Sequence, residues 1–226
     1  MNALVIMAKE PNPNEVKTRL IPPLDPNTAA SLYYNFLLDK IDQVRKIKGA
    51  KFFIAYTPKK AVNFFERFAP EFSIIPQIGV DLGERLANTS NQLLNQGFKK
   101  VVLLDSDTPN LPSEYIRQAL MRLGKFDLVL GPCEDGGYYL IGLKFHIPEI
   151  FRDVPWSTSQ VTDFTEKKAQ KLGLSISFLD SWYDVDTLDE LMRLHRNLNS
   201  SSNKKNIFCY NTYRFLSKIN FKKIKN

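Results

Sequence analysis

"VVLLDSDTP", Val101–Pro109, drives four apolar residues into two aspartates one residue apart and then into Thr-Pro. An unbroken Val/Leu run without polar alternation reads as a strand buried on both faces. Asp105 and Asp107 cannot both point into a core, because a buried unpaired carboxylate is prohibitively costly. Hard divalent cations take oxygen donors, and Mg2+ is usually held by one or two carboxylates together with substrate phosphates. The strand end therefore reads as a place for a cation and a phosphate. Capping of the following turn is the other reading for either Asp.

Outward from this strand the chain alternates. Ala3–Met7, Lys51–Tyr56, Phe72–Ile75, 127–132, 137–143 and 175–179 read as extended, with helical periodicity over about Asn27–Lys46, Leu82–Gln96, Leu111–Leu123, 158–173 and 186–198. Gly97 is placed to end one of these helices. Continuous apolar strands alternating with helices predict an α/β sandwich on a mostly parallel sheet, whose ligands sit beyond the carboxyl ends of the strands.

With 43% apolar residues, 16 Phe and 9 Tyr, the chain can bury a core, and no run approaches the roughly 20 apolar residues of a membrane span. The short N-terminal apolar stretch reads as a strand rather than a signal peptide. Two distant cysteines, Cys133 and Cys209, suit neither a disulfide framework nor a zinc site, so a cytoplasmic protein is the expectation. Of the formal net charge of +7, residues 203–226 supply seven basic residues and no acidic one, which leaves the remainder near neutral. Charge alone thus gives no reason to expect nucleic acid. Asn199–Asn206 reads as a polar linker. The division expected is a main α/β domain, 1–198, and a linker with a basic amphipathic tail, 199–226. That tail fits docking on its own domain or on a second copy of the chain better than on a membrane.

Other stretches carry chemistry-bearing residues. Ala8–Leu20 follows the first strand and presents Lys9, Lys17 and Arg19 among turn residues, which fits an anionic phosphate chain or a solvated surface loop. In Ile78–Leu86, Gly79 and Gly83 bracket a turn that opens a helix, with Asp81 as a cap or as part of a ligand loop. Gly131–Gly142 combines Glu134, Asp135 and the pair Gly136-Gly137, which reads as a hairpin and as backbone close to a ligand. In Trp182–Leu191, Asp184 and Asp186 precede a helix; Asp186 reads as its N-cap or as a second carboxylate for the cation. Ser157 and Thr158 place hydroxyls before another helix. His146 and His195 fall in no catalytic pattern, and neither a dinucleotide fingerprint nor a Gly-Lys-Ser/Thr phosphate loop is present.

The ordered motifs AKEPNPNEVKTRL, GVDLGERL, DSDTPNLP, GPCEDGGYYLIGL, VPWSTSQV and DVDTLDEL resemble the DUF2064 family of glycosyltransferase-A-fold proteins, often called radical-SAM/selenodomain-associated transferase 1. That family is similar to the guanylyltransferases that make the coenzyme F420 precursor. The resemblance spans about residues 1–195. It implies a glycosyltransferase-A-like three-layer sandwich with a Rossmann-like nucleotide-binding half, and Mg2+ or Mn2+ between nucleotide phosphates and Asp carboxylates. By position it implies Asp107 as the main metal ligand, Asp186 as the second and Asp105 as a third candidate. Lys17 and Arg19 would face the phosphates as catalytic residues with Asp107, Lys9 would bind the nucleotide, and Gly79, Asp81, Leu82 and Gly83 would run along the nucleoside. Gly136, Gly137, Ser157 and Thr158 would line the acceptor side. The family's usual glycines are Asn14 and Asp105 here. The resemblance implies nucleotidyl transfer from a nucleoside triphosphate to a small anionic acceptor, or glycosyl transfer from a nucleotide sugar with Glu134 or Asp135 as base.

Overall fold

The computed structural model describes residues 1–200 and 209–221. Most of the expected linker, 201–206, therefore lies outside the described residues, as do Phe208, Lys222 and Lys223 of the tail face expected from Phe208, Phe215, Ile219, Lys218, Lys222 and Lys223. The strands are β1 (Asn2–Lys9), β2 (Ala50–Thr57), β3 (Ser73–Pro76), β4 (Lys100–Leu104), β5 (Leu128–Pro132), β6 (Tyr138–Leu143) and β7 (Ile176–Phe178). They form one sheet in the order β3-β2-β1-β4-β6-β5-β7. β6 runs antiparallel to both its neighbours, and every other pairing is parallel.

The helices are α1 (Pro26–Arg45), α2 (Val62–Phe68), α3 (Leu82–Asn95), α4 (Ser113–Arg122), α5 (Val161–Lys171), α6 (Leu188–Asn199) and α7 (Tyr210–Leu216). Side chains alternate across the strands and split the apolar residues into two cores. On β1, Leu4, Ile6 and Ala8 pack toward α1, α2, α4, α6 and α7, whereas Ala3 and Val5 pack toward α3 and α5. The result is a three-layer α/β sandwich of the glycosyltransferase-A type. Its strands carry apolar residues on both faces because both faces are covered.

The ends of the elements follow local rules. Asp25 caps α1, accepting from the Asn27 and Thr28 N–H groups at 3.0 Å each, and Pro26 opens the helix. Gly97 follows α3 with φ 89°, the left-handed position that a terminating glycine supplies. α5 begins three residues later than the periodicity implies, because Ser157 adopts φ 64° and breaks the approach to the helix.

The last helix is seated on protein. Asp39 of α1 accepts the Asn211 and Thr212 backbone N–H groups at 2.9 and 2.7 Å, and Cys209 and Leu216 are buried. No helix among the described residues is long and apolar enough to cross a membrane.

The chain crosses from β3, on one side of β1, to β4 on the other. Between those crossovers, at the carboxyl ends of β1 and β4, lies the crevice where ligands bind in open α/β sheets.

Candidate functional site

A cleft of about 620 Å³ opens at that point. Tyr33 of α1 fixes its rear: its hydroxyl accepts the Lys9 N–H at 3.0 Å and shares a hydrogen with Ser106 Oγ at 2.8 Å. One side chain thus ties the loop after β1 to the loop after β4. Burial raises the Tyr33 pKa, which keeps the phenol neutral in this role.

The two carboxylates expected at a cation, Asp107 and Asp186, come from different parts of the chain. Residues 182–187 run extended beside the β5–β6 hairpin, through Trp182 N–H to Pro132 O at 3.0 Å and Glu134 N–H to Trp182 O at 2.9 Å. The Val185 N–H then donates to Asp107 O at 3.0 Å, bringing Asp186 beside Asp107. Asp186 does not cap α6. Thr187 does, in a capping box with Glu190, whose carboxylate also takes the Asp186 N–H at 2.8 Å. That arrangement leaves the Asp186 side chain free for the cleft.

Asp107 and Asp186 converge on a single cation, the Lys17 ammonium. Lys17 Nζ pairs with Asp107 Oδ1, and donates to Asp186 Oδ1 at 2.9 Å and to Val185 O at 2.8 Å. Burial acts to lower the Lys17 pKa, but Asp107 and Asp186 outweigh it and the pKa is raised. Burial acts to raise that of Asp186, but Lys17, Arg19 and Lys9 hold it below the ordinary carboxylate value. Arg19 Nη1 lies 3.5 Å from Asp186 Oδ2 with its side chain mostly in solvent. The carboxylate pair, already arranged around a positive charge, fits a divalent cation in donor chemistry and in disposition.

Asp105 is engaged otherwise. It accepts from Thr108 Oγ1 at 2.6 Å and from Lys40 Nζ at 3.3 Å, and the Lys40 ammonium also holds Thr108 O at 2.8 Å. Burial raises the Asp105 pKa and lowers that of Lys40, and each charge offsets the other's desolvation. Asp105 braces the loop while Asp107 faces the carboxylate partner.

The structure brings Lys9, Lys17, Arg19, Leu82, Asp105, Asp107, Gly137, Ser157, Thr158 and Asp186 to one cleft. Gly79, Asp81, Gly83 and Gly136 lie outside its lining, and each has a local task instead. Asp81 caps α3, accepting the Glu84 N–H at 2.8 Å. At Gly83 a Cβ would meet Phe151 O at 2.5 Å and Trp156 Nε1 at 2.8 Å, so the glycine lets α3 approach the loop before α5. Gly79, at φ 145°, has no room for a side chain against Glu84. A Cβ on Gly136, at φ 92°, would collide with the Ser159 backbone. These glycines shape the cleft walls without forming their surface.

Gln77 lines the cleft without any sequence signal, and Arg85 and Trp156 line it from quoted motifs in which neither carries an expected role. Of the two acids read as base candidates, Asp135 lines the cleft, whereas Glu134 is turned away into a paired contact with Arg193 at 2.5 and 2.9 Å. Across from Lys17, Cys133 Sγ and the Asp135 and Asp184 carboxylates offer ligand atoms all within 4.8 Å of one another. Burial, then Asp135 and Asp186, push the Asp184 pKa up to about 7.

With this geometry in place, the comparisons assign the family: its profile, described as an uncharacterized protein conserved in bacteria (DUF2064), matches residues 40–158. The chain belongs to the DUF2064 family. The matched span holds Asp105 and Asp107 but not Lys17, Arg19 or Asp186. A crystal structure from Desulfovibrio desulfuricans G20, provisionally described as a nucleotide-diphospho-sugar transferase, is 33% identical over 100% of this chain and 98% of its own, with a TM-score of 0.89. A cytidylyltransferase from Leptospira borgpetersenii serovar Hardjo-bovis (strain JB197) shares the fold at 13% identity and TM-score 0.54, covering 100% of this chain and 98% of that one. CMP:2-keto-3-deoxy-manno-octonic acid synthetase complexed with CTP does so at 11% identity and TM-score 0.58, over 88% and 98%. No curated protein matches.

Proposed function

We propose that the chain is a nucleotide-dependent transferase, a Mg2+- or Mn2+-dependent nucleotidyltransferase that moves a nucleoside monophosphate from a nucleoside triphosphate to a small anionic acceptor. The observation that carries this reading is the convergence of Asp107 and Asp186 on one cation position, in a cleft that also gathers Lys9, Lys17 and Arg19. An acceptor oxygen attacks the α-phosphorus, the bond to the bridging oxygen breaks, and pyrophosphate leaves. Catalysis of this kind needs positioning and charge neutralisation rather than a covalent intermediate. Held by Asp107 and Asp186, the metal would neutralise charge on the phosphate oxygens. Lys9 and Arg19 serve the leaving phosphates from the loop after β1.

Gly137, Ser157 and Thr158 belong to the acceptor side, where Asp135 and Asp184 also lie. Asp135, together with Asp184 when it is ionised, disfavours a bare anion there, so an anionic acceptor is better received with a counter-ion. The nucleotide-related names of similar structures support the nucleotide half of the reading.

A second reading, glycosyl transfer from a nucleotide sugar, draws on the description given to the Desulfovibrio relative. It would use Asp135 as base. The engagement of Asp105 by Lys40 and Thr108 leaves it less of an Asp-x-Asp metal site to work with.

A screen of nucleoside triphosphates and nucleotide sugars with and without Mn2+ tests both readings, because a ligand of the folded state raises the melting temperature. Cation-dependent shifts with a triphosphate, followed by pyrophosphate release, are expected, as is their loss in Asp107→Ala. Sugar release without pyrophosphate would favour the second reading, and stabilisation by neither ligand class would reject both.

A further inference from the structure

An ammonium group has three N–H donors, and Lys17 has three acceptors: Val185 O, Asp186 Oδ1 and Asp107 Oδ1. Its side chain is 2% exposed, with the Phe36 and Tyr33 ring centroids 5.2 and 5.9 Å from Nζ. All three donors are matched, while the Asp107 and Asp186 side chains remain 37% and 32% exposed to the cleft. In charge and in place, Lys17 is a monovalent cation on the two carboxylates that the proposed reaction needs for a divalent one.

We propose that Lys17 is a built-in counter-ion that keeps a free divalent cation off Asp107 and Asp186, and that yields only to a cation arriving with a polyphosphate, so that metal and nucleotide bind as one unit. This rests on the metal-and-triphosphate reading above and adds the residue that enforces coupling between the two ligands.

The physical argument is one of charge. Lys17 and the two carboxylates sum to −1, with Arg19 close by. A divalent cation added alone would turn the cluster positive, and would strip the buried Lys17 ammonium of two of its three acceptors. A buried charge that loses its partners is strongly unfavourable. A polyphosphate removes both difficulties, because its oxygens supply negative charge and new acceptors for the displaced ammonium.

The backbone agrees with a lysine held inward by design. Lys17 adopts φ 50°, ψ 37°, and Asn14 in the same loop has φ 64°. Left-handed conformations are uncommon for such residues and persist where the surroundings impose them. Here they turn the side chain away from solvent and onto the carboxylates.

The test measures Mn2+ binding by electron paramagnetic resonance on the full chain, alone and with inorganic tripolyphosphate, which avoids assuming a nucleobase. The wild-type protein is expected to bind Mn2+ weakly alone and more tightly with tripolyphosphate, within the about 5–150-fold range usual for coupled sites. Lys17→Met is expected to bind Mn2+ alone at least about tenfold more tightly than wild type, with most of the coupling gone. Equal Mn2+ affinity of variant and wild type in the absence of tripolyphosphate, with tight binding by both in its presence, overturns the role of Lys17 and leaves the metal site standing. No Mn2+ binding by either protein under either condition overturns the site itself. Should Lys17→Met fail to melt cooperatively, Lys17→Gln replaces it. The wild-type pair of titrations also stands alone, since equal affinity with and without tripolyphosphate refutes the coupling.

Discussion

Lys17 and Lys40 are both buried lysines, but they are held for different ends. Lys17 faces the cleft between carboxylates that other cations can claim, whereas Lys40 sits behind it on Asp105 and Thr108. Lys40→Met should therefore act on stability: it leaves Asp105 buried without its counter-charge, and a loss of about 3–5 kcal/mol is expected. Urea unfolding would measure it, and adding Asp105→Asn should restore part of the loss, because the stranded charge is then gone. A full loss in the double variant would mean that Lys40 acts through Thr108 and packing instead. Sequence reading could find Lys17 but not its direction. The loop's polarity marks it as a basic loop and Asn14 suits a left-handed turn, while the inward direction depends also on left-handed backbone at Lys17, which its residue type does not announce. The same holds at Glu134 and Asp135, neighbours of like charge that only the hairpin's geometry separates.

Elements were easier to see than their ends. Apolar strands and periodic helices stand out because burial on both faces and on one stripe leaves distinct patterns. The start of α6 did not, since Asp186 and Thr187 are both good caps and the choice falls to Glu190, whose carboxylate reaches back to both N–H groups. α7 depends on a partner distant in sequence but adjacent in space, α1: Asp39 accepts its first N–H groups and the Asn211 side chain. Asp39→Ala should loosen α7 at a cost of about 1–3 kcal/mol, because buried donors lose their acceptor. Limited proteolysis after Ser200 and urea unfolding would show it, and unchanged protection would mean that apolar contacts alone hold α7. Deleting the chain after Asn199 is expected to lower the melting temperature while Mn2+–nucleotide binding persists, because no described residue of 209–221 lines the cleft. Loss of binding in a truncated protein that still melts cooperatively would make the tail part of the site.

At the scale of the molecule, one sheet serves two cores. Leu4 on β1 and Leu128 on β5 are fully buried on opposite faces. Leu4→Ala and Leu128→Ala should each cost about 2–5 kcal/mol. Because β1 to β6 each carry apolar side chains into both cores, each variant should unfold in one transition with an unchanged denaturant dependence. A second transition in either would show that one helix layer melts separately. The reversed strand β6 carries a different consequence. Because β6 runs against its neighbours, the 133–137 turn from which it starts lies at the cleft, so the wall holding Gly137, Ser157 and Thr158 is written in a stretch of sequence separate from the loops of β1 and β4. The two halves of the cleft can consequently diverge at different rates in descent: substitutions between 133 and 161 can reshape what is accepted while the loops that meet the phosphate chain stay as they are.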